Sequence, residues 1–334
     1  MLFFPFRVDL NFNRIPLLTI LFSLIAIYVF IQQGVSAKNI DLSAKKFCEL
    51  KHDRTFWFVI KKVSMLDHSD ISNDKKINEL FESDCKDVFY NIHTSKYPDL
   101  VIDEYLDRLD TEAIRNDAIN SIYIRGMLEE KYREFKLSGV DNDLTAQLMY
   151  EPHSYNLINM VTAAFAHGSW EHLLGNLFFF FAFAASIEMI LGMLRYVLIF
   201  GSLAIGTHLS YSLAMMNVND ALPTLGLSGV VMGMIGVFVF LMPKINIRCF
   251  LWFFVIFRIV TVPAWLLAAW YVSWDIYALY FSEEQSAINF IAHISGAILG
   301  FGLGLLFLVE QKDKIQEEIL LYQESEEQKQ EEEK

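Results

Sequence analysis

The chain has 334 residues, 54% of them hydrophobic, and a formal net charge of −13 at pH 7. A uniform soluble domain rarely combines such hydrophobicity with such charge, so these averages indicate regions of different composition. The basic residues form no stripe along the chain, which excludes an electrostatic basis for nucleic-acid binding.

Composition divides the chain into four parts. Residues 1–37 hold a short N-terminus and an apolar segment, and residues 38–155 are polar and charged with apolar positions at helical spacing. Residues 156–309 are almost continuously apolar, and residues 310–334 form an acidic tail. We therefore predict a first membrane helix, a mostly helical insert, a membrane-embedded core and a solvated tail.

Apolar segments of about 20 residues are typical of helices that cross a bilayer. Six such segments predict an all-α, polytopic membrane protein with a six-helix bundle. The predicted spans are Ile15–Gln33, Trp170–Gly192, Tyr196–Met216, Leu222–Met242, Ile259–Phe281 and Ala287–Val309. The apolar stretch Cys249–Phe257 is assigned to the membrane interface because Arg258 follows it. Pro263 then falls in the first turn of the fifth span, where proline is tolerated.

The basic residues of the short loops predict the orientation in the membrane. They lie at one set of span ends: Arg7, Arg14, Arg195, Lys244, Arg248, Lys312 and Lys314. The opposite loops, 217–221 and 282–286, contain no Lys or Arg. Cytoplasmic loops are enriched in these residues, so we predict cytoplasmic termini and an extracytoplasmic insert.

The first span has an alternative interpretation as a signal peptide. Val35-Ser36-Ala37 resembles a signal-peptidase site after a charged start and an apolar core. Cleavage at this site would leave five spans. The apolar run is long for a signal peptide, so we expect it to be retained.

The three cysteines divide between the two regions. Cys48 and Cys85 lie in the insert, where an oxidising compartment would permit a disulfide. Sequence leaves the bonded and the free forms equally open, because it does not show whether the two backbones approach each other. Cys249 is expected to be a buried apolar residue at the cytoplasmic face.

Two polar side chains stand in predicted spans. Ser228 lies near the outer end of the fourth span, within Gly226-Leu227-Ser228-Gly229, and His293 lies about two turns into the sixth. Polar groups inside a membrane are costly and usually mark function. A histidine can take the proton of a serine hydroxyl, so the pair is the minimum set for nucleophilic catalysis. Both residues are expected about 10 Å below the outer surface.

Glycines repeat every four residues beside this pair, which lets helix backbones approach each other. They are Gly229 and Gly233 on the fourth span, and Gly296, Gly300 and Gly304 on the sixth. Ordinary helix packing explains each run by itself. Next to the serine and the histidine, the same packing would also align the pair.

A third group lies on the second span, where His172 and Asn176 share one helix face. A tetrahedral oxyanion needs preorganised donors. The Asn176 amide, the His172 ring and the backbone N–H of Ser228 would supply them. A hydrogen bond from Asn176 to a neighbouring helix is the alternative.

Together these segments resemble the rhomboid family of intramembrane serine proteases. The matching motifs are His-x-x-x-x-His-x-x-x-Asn at 167–176, Gly-x-Ser-Gly at 226–229, and Ala-His at 292–293 followed by spaced glycines. The resemblance covers about 155–309 and the first span. It implies a bacterial-type enzyme of the inner membrane that cuts peptide bonds in or near transmembrane segments of membrane-protein substrates. It implies no cofactor and no metal.

The resemblance also implies residue roles. Ser228 would be the nucleophile and His293 the general base, as a dyad with no carboxylate partner, and His172 and Asn176 would bind the oxyanion. Structural roles near the site are implied for His167, Gly226, Gly229, Gly296 and Gly300, and at the inner end of the second span for Glu188 and Gly192.

The chain departs from the family pattern at three points. Met232 stands where many members have an aromatic residue four positions after the serine, which implies altered alignment of the histidine. Ile158-Asn159 replaces a Trp-Arg pair, and the first loop is far longer than usual. The insert is either a helical domain that recruits or restricts substrates or a spacer.

Other interpretations are less consistent with the sequence. A catalytically silent relative that binds transmembrane clients is disfavoured because both Ser228 and His293 are present. A transporter or channel is disfavoured because the sequence has no inverted repeat with paired broken helices. Bulky residues near the fifth span, Trp270, Trp274 and Phe281, either anchor the helix at the interface or form a moving gate with the loop that follows.

Overall fold

A computed structural model describes residues 2–8, 15–50, 52, 54–64, 74–112, 118–218, 221–253, 256–281 and 289–317. The chain folds into two compact units. One comprises residues 31–148, and the other combines the preceding residues with those from Met149 onward. The predicted mainly α-helical character is confirmed for the described residues.

The unit of residues 31–148 is a helical domain. It contains the C-terminal part of α1 (Leu17–Cys48), followed by α2 (Arg54–Ser64), α3 (Asp74–Thr94), α4 (Pro98–Glu112), α5 (Ala118–Leu137) and α6 (Leu144–Leu148). Aromatic rings fill its core, with the Phe47 ring centroid 5.1 Å from Phe89 and 5.3 Å from Phe135. Cys48 and Cys85 form a disulfide with their Cα atoms 5.9 Å apart. The bonded alternative is therefore the correct one, and it ties the end of α1 to α3.

The other unit contains most of the apolar helices. Its elements are β1 (Leu2–Val8), the N-terminal part of α1, α7 (Leu157–Thr162) with a 3-10 turn (Ala163–Phe165), α8 (Trp170–Leu191), α9 (Met193–Met215), α10 (Ser228–Leu241), β2 (Asn246–Phe253), β3 (Ile256–Pro263), α11 (Ala264–Phe281) and α12 (Phe290–Phe307). Four described helices are long and apolar enough to cross a membrane, namely α1, α8, α9 and α12. Among the described residues, length and composition therefore identify fewer membrane-crossing helices than the six predicted.

A buried carboxylate fixes the start of α1. Oε1 of Glu188 accepts the backbone N–H of Leu18 at 2.8 Å, and Oε2 accepts the N–H and the hydroxyl of Thr19, each at 2.7 Å. These donors belong to the first turn, where backbone N–H groups lack partners within the helix and the helix dipole favours negative charge. The cost of burying this charge is therefore offset at the end of α8.

The predicted fourth span is wrong at its N-terminal end, because α10 begins at Ser228 rather than at Leu222. Thr224 leaves the helical conformation by pairing with Tyr150 through two backbone hydrogen bonds of 2.8 Å. Gly226 has a φ of +117°, a conformation that favours glycine and does not continue a right-handed helix.

The predicted start of the fifth span is wrong as well. Residues 246–253 and 256–263 form the antiparallel strands β2 and β3, and β1 completes a three-stranded sheet in the order β1-β2-β3. Burial alternates along β2, where Ile247 and Cys249 are buried and Arg248 is exposed, as a strand with one covered face requires. Helix α11 begins only after Pro263. Short apolar runs do not distinguish strand from helix, which explains the error.

Helices α10 and α12 pack with their backbones in direct contact. A Cβ added at Gly300 would overlap the carbonyl group of Gly233, and one added at Gly296 would overlap the carbonyl oxygen of Gly229. Such contact is possible only where neither helix carries a side chain. The glycine faces therefore set the separation of the two helices.

Substitution of Gly300 by Ala is expected to destabilise the protein by about 1–3 kcal/mol, because the new methyl group overfills this contact. Gly302→Ala is the matched control, since a Cβ at Gly302 of the same helix meets no atom within 4 Å. Thermal unfolding in detergent micelles should show a lower midpoint for Gly300→Ala alone. Equal midpoints would contradict the proposed importance of the contact.

Candidate active site

Ser228 is the first residue of α10 and is half-buried. The preceding segment is held by neighbours on two sides. Thr224 pairs with Tyr150, and the backbone N–H of Gly226 donates to the carbonyl oxygen of Ala163 at 2.9 Å. The position of the Ser228 hydroxyl is thus set by a fixed loop as well as by its helix.

His293 lies in the first turn of α12, closer to the helix start than predicted. The Asn289 side chain caps this helix by accepting the N–H of Ala292 at 3.0 Å. The amide nitrogen of Asn289 also donates to the hydroxyl of Thr224 at 3.1 Å. The start of α12 is therefore bonded to the loop that leads into Ser228.

The backbones that carry Ser228 and His293 are in contact. A Cβ added at Gly229 would lie 3.4 Å from the carbonyl oxygen of Ala292. Gly229 follows Ser228 in the chain and Ala292 precedes His293. Ser228 and His293 therefore lie at the same level of adjacent helices. Among the described residues, no hydrogen bond joins the Ser228 hydroxyl to the His293 ring.

His172 and Asn176 of α8 face the same loop. A Cβ added at Gly226 would lie 2.7 Å from Cε1 of His172 and 3.7 Å from Nδ2 of Asn176. Asn176 is 8% exposed, and its Nδ2 atom has no hydrogen-bond partner within the described structure. A buried amide without an acceptor is costly, which is typical of a donor kept for a ligand or a transition state.

His167 lies in the loop before α8 and is buried against the ring of His172, with centroids 5.1 Å apart and planes nearly perpendicular. Burial, together with the neighbouring His172, lowers the pKa of His167 to about 4. The ring is consequently neutral at neutral pH. It supports His172 by contact without adding positive charge.

Sequence reasoning missed Asp275, a buried residue of α11. Its Oδ2 atom lies 3.2 Å from Nδ1 of His293, so the expectation of a histidine without a carboxylate partner is wrong. The signal was present in the sequence, because Asp275 is the single charged residue of an otherwise apolar helix.

An aromatic contact to His293 is present, but from another helix than the family pattern implies. The ring of Phe290, one turn earlier on α12, lies 6.2 Å from the His293 ring with the planes at 85°. Met232 is buried on α10. The aromatic neighbour of the histidine thus belongs to its own helix.

The proposed gate residues lie on an exposed face. Trp270, Trp274 and Phe281 are each more than half exposed in the isolated chain, as expected of side chains that face lipid. Of the loop predicted to form the gate, Trp274–Ser286, the part up to Phe281 belongs to helix α11, and residues 282–286 lie outside the described residues.

Comparison with known protein families places these residues in one domain. Residues 154–310 match the model of the Rhomboid domain. This part of the chain belongs to the rhomboid family. None of the curated proteins matches the chain. The rhomboid domain contains all of the residues discussed above as the candidate site, and together with the four apolar helices it identifies an integral membrane protein.

Gly226 has two features that exclude a side chain, its φ of +117° and the nearby ring of His172. We expect Gly226→Ala to displace that ring and to cost about 1–3 kcal/mol of stability, from strain in the backbone. Gly168→Ala is the control, because a Cβ there meets no atom within 4 Å. Thermal unfolding of both variants checks this, and an unchanged midpoint for Gly226→Ala would contradict it.

Proposed function

We propose that the protein is an intramembrane serine endopeptidase that cuts peptide bonds in or near transmembrane segments of membrane proteins. Ser228 is the nucleophile and His293 the general base. The observation that carries the proposal is the backbone contact between α10 and α12 at Gly229, directly beside both residues and inside a rhomboid domain. Members of this family are typically intramembrane serine proteases.

The first chemical step is attack by Ser228 Oγ on the peptide carbonyl while a ring nitrogen of His293 takes the hydroxyl proton. This transfer requires the two atoms to approach to about 3 Å. A rotamer change of either side chain has to close that distance when substrate binds. Catalytic hydrogen bonds are often long in unliganded enzymes and tighten in the complex, so the unbonded pair is consistent with this role.

Three donors are available for the oxyanion that attack produces. The N–H of Ser228 lies in the first turn of α10 and has no acceptor within the helix. The Nδ2 atom of Asn176 is buried without a partner, and His172 lies beside it against Gly226. Donors fixed before the reaction stabilise the developing charge without a reorganisation cost.

Hydrolysis of the acyl-enzyme requires water at Ser228. Helix α10 has 14 residues and is about 21 Å long at 1.5 Å per residue, which is shorter than the hydrocarbon core. The non-helical segment 221–227 therefore lies at membrane depth if α10 enters from the outer side. Irregular backbone is tolerated there only inside protein or along a water-filled cavity. Such a cavity would give water access to Ser228.

We further propose six crossings, with α10 and α11 added to the four long helices. Both termini are cytoplasmic, and the protein resides in a bacterial inner membrane with its helical insert outside the cytoplasm. The disulfide between Cys48 and Cys85 supports this orientation, because such bonds persist in oxidising compartments.

Substrate helices have to unwind near the cut, since their carbonyl groups are otherwise hydrogen-bonded.

The full-length protein, reconstituted in liposomes with a model single-span substrate, is expected to cut it. Ser228→Ala should abolish cleavage, because the nucleophile is lost. Ser210→Ala is the control: Ser210 is a half-buried serine of α9 whose hydroxyl donates to the Gly206 carbonyl oxygen of its own helix. Cleavage by Ser228→Ala would refute the nucleophile. Wild-type protein that neither cuts nor reacts with a fluorophosphonate would instead indicate a catalytically silent rhomboid-like protein that binds transmembrane clients.

Asn176→Leu keeps the volume of the side chain and removes one oxyanion donor. We expect kcat to fall about 100- to 1,000-fold with KM nearly unchanged, because the lost bond forms only in the transition state. Stability should not fall, since Nδ2 of Asn176 has no partner to lose. Ser186→Ala on the same helix is the control, because its hydroxyl donates to Ala182 within α8. The assignment would be contradicted if KM fell in proportion to kcat, because kcat/KM would then be unchanged. It would also be contradicted if a loss of stability accounted for the lower rate.

A further inference from the structure

The contact between α11 and α12 places a carboxylate against the histidine of the candidate site. Oδ2 of Asp275 lies 3.2 Å from Nδ1 of His293, and the two side chains are 11% and 15% exposed. Asp275 has no charged neighbour along α11, whose other residues are apolar or aromatic except for Ser273. A carboxylate in such surroundings is strongly disfavoured unless a partner compensates it. His293 provides that compensation.

We propose that Asp275 is a positioning residue that orients His293 and stabilises its charged form during catalysis. This inference rests on the proposed function. An ionised carboxylate only accepts hydrogen bonds, so Nδ1 of His293 has to carry the hydrogen in this contact. The lone pair of the neutral ring then lies on Nε2. That nitrogen is the one left to accept the proton of Ser228.

The same contact acts on the charge that the reaction creates. When His293 accepts the Ser228 proton it becomes an imidazolium, and a carboxylate at 3.2 Å attracts that charge in surroundings of low dielectric. The transferred proton resides on Nε2 until it passes to the leaving amine, and it is not passed on to Asp275. Asp275 thus lowers the energy of the charged state without taking part in bond formation.

The other groups around His293 do not replace Asp275. On α8, His172 lies near enough to interact electrostatically with His293, but it would repel a positive charge if it were itself protonated. Helix α10 contains no titratable side chain between Ser228 and Leu241. On α9, His208 is engaged through Nδ1 with the Ala204 carbonyl oxygen. Among the described residues, Asp275 is the carboxylate hydrogen-bonded to the ring.

The test compares Asp275→Asn, Asp275→Glu and Ser273→Ala in the full-length protein in liposomes. Asparagine keeps the shape but loses the charge, whereas glutamate keeps the charge in a longer chain. Ser273 is exposed on α11 two residues away and serves as the control. The measurements are kcat and KM on the single-span substrate, the rate of reaction with a fluorophosphonate, and the thermal unfolding midpoint.

We expect Asp275→Asn to lower kcat and the fluorophosphonate rate about 10- to 1,000-fold, with KM within about twofold of wild type. Asp275→Glu should retain more activity than Asp275→Asn although its bulk makes it the less stable variant. This opposite ranking of activity and stability would separate an electrostatic role from a structural one. Ser273→Ala should match the wild type.

Two results would overturn the inference alone while leaving the nucleophile in place. One is wild-type kcat in Asp275→Asn while Ser228→Ala remains inactive. The other is activity that falls in the same order as stability, with Asp275→Glu lowest in both. Wild-type protein that is inert toward substrate and probe would instead overturn the proposed function, and this inference with it.

Discussion

The direct contact between the backbones of α10 and α12 is the constraint on which the site depends. Lipid is as apolar as most helix side chains, so membrane helices associate through close packing rather than through hydrophobic burial. Gly229 and Gly296 allow that packing within one residue of Ser228 and one turn of His293. The separation of the Ser228 and His293 side chains is therefore determined by a backbone contact that involves neither of them.

The irregular segment before α10 is the second requirement. It delays the start of α10, so that Ser228 stands in the first turn, where the backbone N–H groups have no partner within the helix. Its own polar groups are satisfied by Tyr150, Ala163 and Asn289, which belong to three other parts of the same compact unit. A continuous helix from Leu222 would use those N–H groups internally.

Motifs indicated the separate parts of the candidate site, because each depends on local spacing. His172 and Asn176 share a face at an interval of four residues, and the glycine runs mark a helix surface without side chains. The sheet was not predicted, because a short apolar run such as β2 is equally compatible with a strand and with a buried helix. The start of α10 depends on the pairing of Thr224 with Tyr150, a contact between residues distant in sequence. The contact of Asp275 with His293 is likewise tertiary, although a lone carboxylate in an apolar helix was a readable signal.

The neighbours of His293 also explain why a carboxylate is useful in this chain. Packing against a ring, such as the edge contact with Phe290, restrains the plane of an imidazole. It does not distinguish the two orientations related by a half-turn about the bond from Cβ to Cγ, because the ring has nearly the same shape in both. Only a hydrogen bond to one nitrogen separates them, and Asp275 makes that bond to Nδ1. With Met232 on α10 in place of an aromatic residue, the orientation of the proposed base rests on the carboxylate of α11.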